Sequence, residues 1–174
     1  MIYRFRVILD THEDVFRDIE IKASDTLEDL HNAVIQSFGF DGQEMASFYL
    51  SNELWEEGEE ISLFDVSDEE GGIRLMNETS LEDVVDEKNT RMLYVYDFLN
   101  MWTFMIELGD IVQAEEGVLY PNLMYVEGQV PDEAPEKEFI SEKIDGDDDD
   151  DDLDIDYDLD PEDYGDLDFD ENWN

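Results

Sequence analysis

The two histidines are the side chains in this sequence that most readily exchange protons near neutral pH. His31 falls on the apolar face of a predicted helix, about 40° around the axis from Leu27 at 100° per residue. That position suits a packed histidine with one hydrogen-bond partner, and it also suits a ligand or catalytic group. His12 lies in a predicted turn beside Glu13 and Asp14, and we interpret it as a surface residue.

Cysteine is absent, which excludes disulfides, thiolate metal sites and cysteine nucleophiles. The N-terminal string MIYRFRVILD alternates and carries charge, so it lacks the uninterrupted apolar stretch of a signal peptide. No segment has the ~18 consecutive apolar residues of a helix that spans a bilayer. We therefore expect a cytoplasmic protein.

Acidic residues dominate the charge of the chain. There are 52 Asp and Glu against nine Lys and Arg, for a formal net charge of −43. Residues 1–131 contain 30 of these acids and seven of the bases, so the charge is not confined to the C-terminal part. Nucleic-acid affinity comes mainly from Lys and Arg, and anionic membranes repel a negative protein. We expect no direct nucleic-acid or membrane binding, and a protein partner with a basic surface.

A run of carboxylates in residues 160–171 has part of the spacing of a calcium-binding EF-hand loop. Gly165 is sixth and Glu171 is twelfth, as in such a loop. However, Tyr164 occupies a ligand position, Pro161 disturbs the start, and three residues are too few for an exit helix. We expect weak, diffuse binding of divalent cations there, and no cofactor.

The N-terminal residues alternate with period two, which predicts a half-buried strand over Ile2–Leu9. Residues 16–21 form a plausible second strand, paired with the first as a hairpin. Apolar residues then recur at helical spacing after a predicted capping box of Asp25 and Glu28, and Gly39 is the predicted stop. Strand, strand and helix in this order predict an α+β fold with a β-grasp-like core.

Further antiparallel strands are predicted after this core. Residues 45–50 and 61–66 favour short strands, and residues 79–85 favour a short helix with Thr79 and Glu82 as its capping box. Residues 92–96 and 102–108 are rich in strand formers, and they predict a hairpin whose turn is residues 97–101. Residues 111–112 and 118–120 are expected to extend the β-rich region, which fades at Pro121 and Pro131.

Residues 132–174 differ in composition, because they hold 22 acids, with six consecutive aspartates at residues 147–152. Like charges at that density oppose collapse, so this segment is predicted to be a disordered acidic tail that follows a domain of residues 1–131. Apolar residues alternate with aspartates there, as in disordered segments that dock onto partners. The predicted docking residues are Asp154, Ile155, Tyr157, Leu159, Tyr164, Leu167, Phe169 and Trp173. A purely solubilising tail is the alternative.

The predicted hairpin carries a family resemblance. Tyr94-Val-Tyr-Asp-Phe98, then Trp102 and Glu107, resemble the Tyr-Asp-Phe-Gly-Asp-x-Trp-x-His…Glu signature of the Ri-plasmid ORF-3-like family, also labelled a transposon-passenger family. The helix start Thr-Leu-Glu-Asp-Leu-His31 and the later Leu-Tyr-Pro121 are similar to other segments of that family. The resemblance covers about residues 1–135 and implies a β-grasp-like fold and a bacterial mobile-element link, with no established activity.

The resemblance singles out Asp97, Trp102 and Glu107, with His31, as a possible signature site. Two departures reduce its polar content, because Leu99-Asn100 replaces Gly-Asp and Phe104 replaces the histidine. Asp97 also suits a turn-forming residue and Trp102 suits a core residue.

Three functions follow from the sequence. The first is a non-enzymatic interaction protein whose acidic tail docks onto a basic partner. The second is a nucleic-acid mimic that occupies the DNA- or RNA-binding site of another protein. The third is a carboxylate-based metal-dependent hydrolase that uses Asp97, Glu107 and His31, for which the sequence offers no nucleophile or metal-ligand spacing.

Overall fold

The alternating N-terminal segment lies inside a mixed sheet in the computed structural model, which describes residues 1–65 and 72–135. The strands are β1 (Ile2–Leu9), β2 (Phe16–Lys22), β3 (Ala46–Leu50), β4 (Glu60–Ser62), β5 (Arg74–Leu75), β6 (Arg91–Tyr96), β7 (Trp102–Val112) and β8 (Asn122–Glu127). Within the described residues the sheet has eight strands in the order β5-β4-β3-β6-β7-β1-β2-β8. All neighbours are antiparallel except β4 and β5.

Helix α1 (Leu27–Phe38) follows the first hairpin, and a 3-10 turn (Met76–Glu78) and a short helix α2 (Leu81–Val84) precede β6. The capping box of α1 is Thr26 with Asp29. The Asp29 amide donates to Thr26 Oγ1, and the Thr26 amide donates to the Asp29 carboxylate. Gly39 ends the helix at φ 83°, a left-handed conformation that glycine adopts without a Cβ clash.

The hydrophobic core lies between α1 and one face of the sheet. Alternate residues of β1 face it, and Phe5 and Val7 are almost fully buried whereas Arg4 and Arg6 lie on the opposite, open face. Helix α1 contributes its buried stripe, and its Phe38 ring packs 4.8 Å from the ring of Phe104 on β7. A sheet with one helix-covered face explains why β1 alternates cleanly in sequence.

The sequence predicted most of these elements. The α+β class, the N-terminal hairpin, the helix with its glycine stop, the third strand and the later hairpin are confirmed. The β-grasp assignment stays a prediction. Both predicted capping boxes were wrong: the first lies one residue further along, and Thr79 Oγ1 instead donates to the carbonyl of Leu75.

Two predicted strands differ from the observed ones. Residues 118–120 are not a strand, because the chain turns there and β8 forms after Pro121. Of residues 61–65, only Ile61 and Ser62 lie in a strand, because the chain bends at Leu63 and Phe64, although the Leu63 amide still donates to the carbonyl of Ala46 in β3. The domain boundary at Pro131 stays a prediction, and Val130 and Ala134 still pack against the core. Residues 136–174, most of the predicted tail, lie outside the described residues.

Candidate interaction surface

His31 lies in the core between α1 and the sheet. Its Nδ1 and the hydroxyl of Tyr94 share a hydrogen bond of 2.6 Å, and both side chains are buried. Burial lowers the pKa of His31 from its usual 6.5 to about 4, and burial also raises the pKa of Tyr94. A neutral imidazole with a buried phenol partner favours the packed-histidine interpretation.

Asp97 lies at the first position of the turn between β6 and β7, at φ 65°. Its Oδ1 accepts hydrogen bonds from the amides of Leu99 and Asn100 at 3.1 and 3.4 Å. Its Oδ2 accepts one from Asn100 Nδ2 at 2.6 Å. Because the carboxylate bonds the residues two and three positions after it, Asp97 shapes the turn.

Trp102, at the start of β7, is packed among aromatic rings. Phe40, just after the end of α1, lies 4.9 Å from Trp102 and 5.0 Å from Tyr96, ring centroid to ring centroid. The Tyr96 hydroxyl donates to Asp41 at 2.9 Å, which ties the same loop to the sheet. Trp102 therefore closes one end of the core, as predicted for a structural tryptophan.

Glu107 lies on the open face of β7, opposite the face on which Trp102 packs, since side chains alternate along a strand. Its carboxylate accepts a hydrogen bond from Arg91 Nε at 3.2 Å. The histidine, the turn aspartate and this glutamate thus lie in the core, at a strand end and on the open face. Across residues 1–65 and 72–135 no three His, Asp or Glu side chains are grouped to hold a metal ion.

The structure does not describe the predicted docking residues of the tail. They are Asp154, Ile155, Tyr157, Leu159, Tyr164, Leu167, Phe169 and Trp173, and all lie outside the described residues.

Ion pairs hold the arginines of the open face. Arg6 makes a bidentate pair with Asp18 at 2.8 and 2.9 Å. Arg4 bonds Glu20 at 2.8 Å and Asp110 at 3.4 Å. The pKa of Glu20 is lowered by a hydrogen bond from the Asn122 side chain and by Arg4. These arginines are neutralised locally and add little positive charge to the surface.

Strand β8 is an edge that the sequence did not predict. It pairs with β2 on one side, and no strand in residues 1–65 or 72–135 pairs with its other side. Its residues Leu123, Met124, Tyr125 and Val126 are 44 to 51% exposed. The run of strand-forming residues in this segment was a usable signal, which the flanking Pro121 obscured.

Arg17 stabilises the C-terminal end of β8 through hydrogen bonds to backbone carbonyls. Its buried guanidinium donates to the carbonyls of Glu127 at 2.9 Å and Gly128 at 3.3 Å, and to Ser37 near the end of α1 at 2.9 Å. Burial lowers the pKa of Arg17. Gly128, at φ 78°, passes so close to Asp14 that a Cβ would lie 2.2 Å from its carbonyl oxygen. The edge is therefore exposed but firmly held.

Two grooves flank β8, one on each face of the sheet. A cleft of about 320 Å³ lies between α1 and β8, and Ala33, Gln36 and Leu123 are among its lining residues. A groove of about 450 Å³ lies on the open face, where Arg6 and Met124 are among the lining residues. Leu123 and Met124, adjacent along β8, thus border different grooves.

None of the helices in the described residues is long and apolar enough to cross a membrane. The fold and surface define a class, an α+β domain with one helix-covered sheet face, paired arginines and an exposed edge strand. The chain belongs to the plasmid pRiA4b ORF-3-like protein family, whose model matches residues 1–139. No function is established for this family.

A solved structure shares the fold. The protein of unknown function MM3350 from Methanosarcina mazei Go1 is similar, with a TM-score of 0.64 and 23% sequence identity. The match covers 72% of this chain and 68% of that one. No curated protein matches the chain. The likeness concerns the fold.

Proposed function

We propose that this protein acts by binding a protein partner with a basic surface, without catalysis of its own. The observation that carries the proposal is that the arginine side chains are bonded within the domain and leave the acids in excess. Each of the five arginines bonds carboxylates or backbone carbonyls of the domain itself: Arg4, Arg6, Arg17, Arg74 and Arg91. The 30 acids of residues 1–131 greatly outnumber them, so the surface field attracts cations.

The placement of the signature residues supports binding over catalysis. His31 is bonded to Tyr94 in the core, Asp97 to the turn amides, and Glu107 to Arg91. A general acid or base needs a group within hydrogen-bond reach of a substrate proton. Each of these groups has an internal partner, and the three lie in separate parts of the fold.

The acidic tail is proposed to contribute an adaptable anionic segment. Its alternation of aspartates with Ile155, Tyr157 and Leu159 supplies both charge and apolar contacts. A segment of that kind orders when it binds and gives modest affinity per contact. The cytoplasmic location and the mobile-element link stay predictions alongside this role.

The test is capture of partners from host lysate by three full-length proteins, eluted from about 0.05 to 1 M NaCl. One is the wild type. The second replaces Ile155, Tyr157 and Leu159 with serine and keeps every charge. The third replaces the aspartates of residues 147–152 with asparagine and keeps every apolar residue.

A docking tail predicts that the wild type holds a basic protein that salt releases, and that both variants hold it more weakly. Retention of the same partner by all three proteins would place binding on the domain and leave the tail a solubilising role. A partner displaced by duplex DNA would identify nucleic-acid mimicry. Absence of any salt-released basic partner from the wild type would contradict the proposal.

A further inference from the structure

We propose that the free edge of β8 accepts an extended basic and apolar segment of a partner as an added strand of the sheet. The proposal rests on the proposed function and names the surface of the domain that the partner meets. Its starting point is the outer side of Asn122–Glu127, which pairs with no strand of residues 1–65 or 72–135 and whose backbone amides and carbonyls can bond another strand. Strand addition of this kind supplies main-chain hydrogen bonds without requiring a deep pocket.

The edge is already shaped for pairing. Its inner side is bonded to β2, and its C-terminal end is fixed by Arg17 and by the close passage of Gly128 against Asp14. On the open face, Tyr125 stacks on Phe16 at 5.8 Å, and Phe16 in turn lies 4.1 Å from the Arg6 guanidinium. A strand that is held in place before binding loses little conformational entropy when a partner arrives.

The grooves on both faces of the sheet offer space for the side chains of an added strand. Successive residues of a strand point to opposite faces of a sheet. Leu123 borders the cleft beside α1, and Met124 borders the groove of the open face. An added strand would therefore send alternate side chains towards two different grooves, which gives the edge a means of selecting sequence.

Charge selects the occupant. Residues 92–135, which include β8, contain eight acidic residues and no lysine or arginine. A second copy of the chain would bring another net charge of −43 to this edge. This charge opposes a second copy and favours a strand that carries lysine or arginine between apolar residues.

The experiment uses the full chain and a defined probe, the heptapeptide Lys-Val-Lys-Tyr-Lys-Val-Lys. A twin with N-methyl groups on alternate backbone amides keeps its charge and apolar residues but loses one edge of hydrogen bonds. Titration calorimetry gives the affinity of each peptide. Hydrogen exchange of the protein reports whether the outward amides of β8 gain protection.

Two double variants separate the edge from the overall charge. Leu123→Lys with Met124→Lys alters the edge. Leu54→Lys with Leu99→Lys makes the same change of net charge at two exposed residues outside β8. We expect N-methylation and the edge variant each to weaken binding about tenfold or more. The control variant is expected to stay within about threefold of the wild type, because exposed charges are screened.

Equal binding of the two peptides, or equal loss in the two double variants, would overturn the edge proposal and leave attraction to the acidic surface intact. No binding of the basic peptide to the wild type would count against both proposals. A concentration-dependent dimer that the peptide dissociates would assign the edge to a second copy. Hydrogen exchange of the β8 amides is measured on the wild type alone. This readout therefore tests the proposal even if a variant fails to fold.

Discussion

Burial of His31 makes a single imidazole a determinant of how stability depends on pH. Its pKa is about 4 in the folded protein and 6.5 when unperturbed, because burial disfavours the charged form. Between these values the unfolded chain binds a proton that the folded chain does not. The stabilisation is therefore complete above pH 6.5 and is lost as the pH falls towards 4.

We expect His31→Gln to remove this dependence. The wild type should lose about 3 kcal/mol more of its free energy of unfolding than the variant does between pH 8 and pH 4. Urea unfolding at a series of pH values measures the free energy of unfolding of both proteins. The contribution of the many carboxylates cancels in the difference between wild type and variant. His12→Gln, at an exposed position, should follow the wild type. A constant gap between wild type and His31→Gln would mean that the imidazole is protonated without cost.

Gly128 is a second residue with a large effect on stability. Both Gly128 and Gly117 have positive φ, at 78° and 87°, but only Gly128 has a backbone oxygen where a Cβ would stand. Gly117→Ala should cost about 1 kcal/mol, the strain of a left-handed alanine. Gly128→Ala should cost about 3 kcal/mol or more, since the backbone at Asp14 must move. Equal losses in urea unfolding would show that this contact yields easily.

At the scale of elements, Arg17 joins the edge strand to the helix. Arg17→Met keeps an unbranched apolar stem and leaves the carbonyls of Ser37, Glu127 and Gly128 without this donor. We expect a loss of about 3 kcal/mol and faster hydrogen exchange in β8. Arg74→Met, which breaks an exposed pair with Glu59, should change stability by no more than about 0.5 kcal/mol. Unchanged exchange in β8 after Arg17→Met would contradict the anchoring role.

The sequence predicted elements where the local pattern alone decides structure. The alternation of β1 and the helical spacing of α1 each follow from one buried face. The position of His31 on the apolar face was likewise predicted, but its partner Tyr94 is 63 residues away and no local pattern identifies it. Local patterns also failed to predict β8, because its pairing with β2 joins segments about a hundred residues apart.

Arg17 shows why the interaction surface was harder to predict than the fold. In sequence Arg17 shares the period-two phase of Ile19 and Ile21, unlike Arg4 and Arg6, but nothing in that pattern identifies the groups that it bonds. Its burial follows from the strand order, which brings the end of α1 and the end of β8 to the same side of β2. Edge strands and grooves are consequences of topology, so composition suggests only the charge of the proposed partner and does not indicate which surface it would contact.

At the scale of the whole molecule, two electrostatic effects of opposite sign compete. Ion pairs such as Arg6 with Asp18 stabilise the folded state, and salt weakens them. Each exposed pair contributes about 1 kcal/mol at most. Mutual repulsion of the acids destabilises the compact state, and salt relieves it. With 30 acids against seven bases in residues 1–131, repulsion has many more contributors than attraction.

We therefore expect added salt to stabilise this protein. The melting temperature should rise by several degrees between about 0.01 and 0.5 M NaCl, as the screening length falls below the spacing of surface charges. Replacing Glu57, Glu115 and Glu116 with glutamine should raise the melting temperature in low salt and flatten its rise, because those exposed charges no longer repel. Stability that falls with salt would show that the ion pairs of the open face outweigh the repulsion. The field that is proposed to attract a basic partner would then have little influence on the stability of the fold.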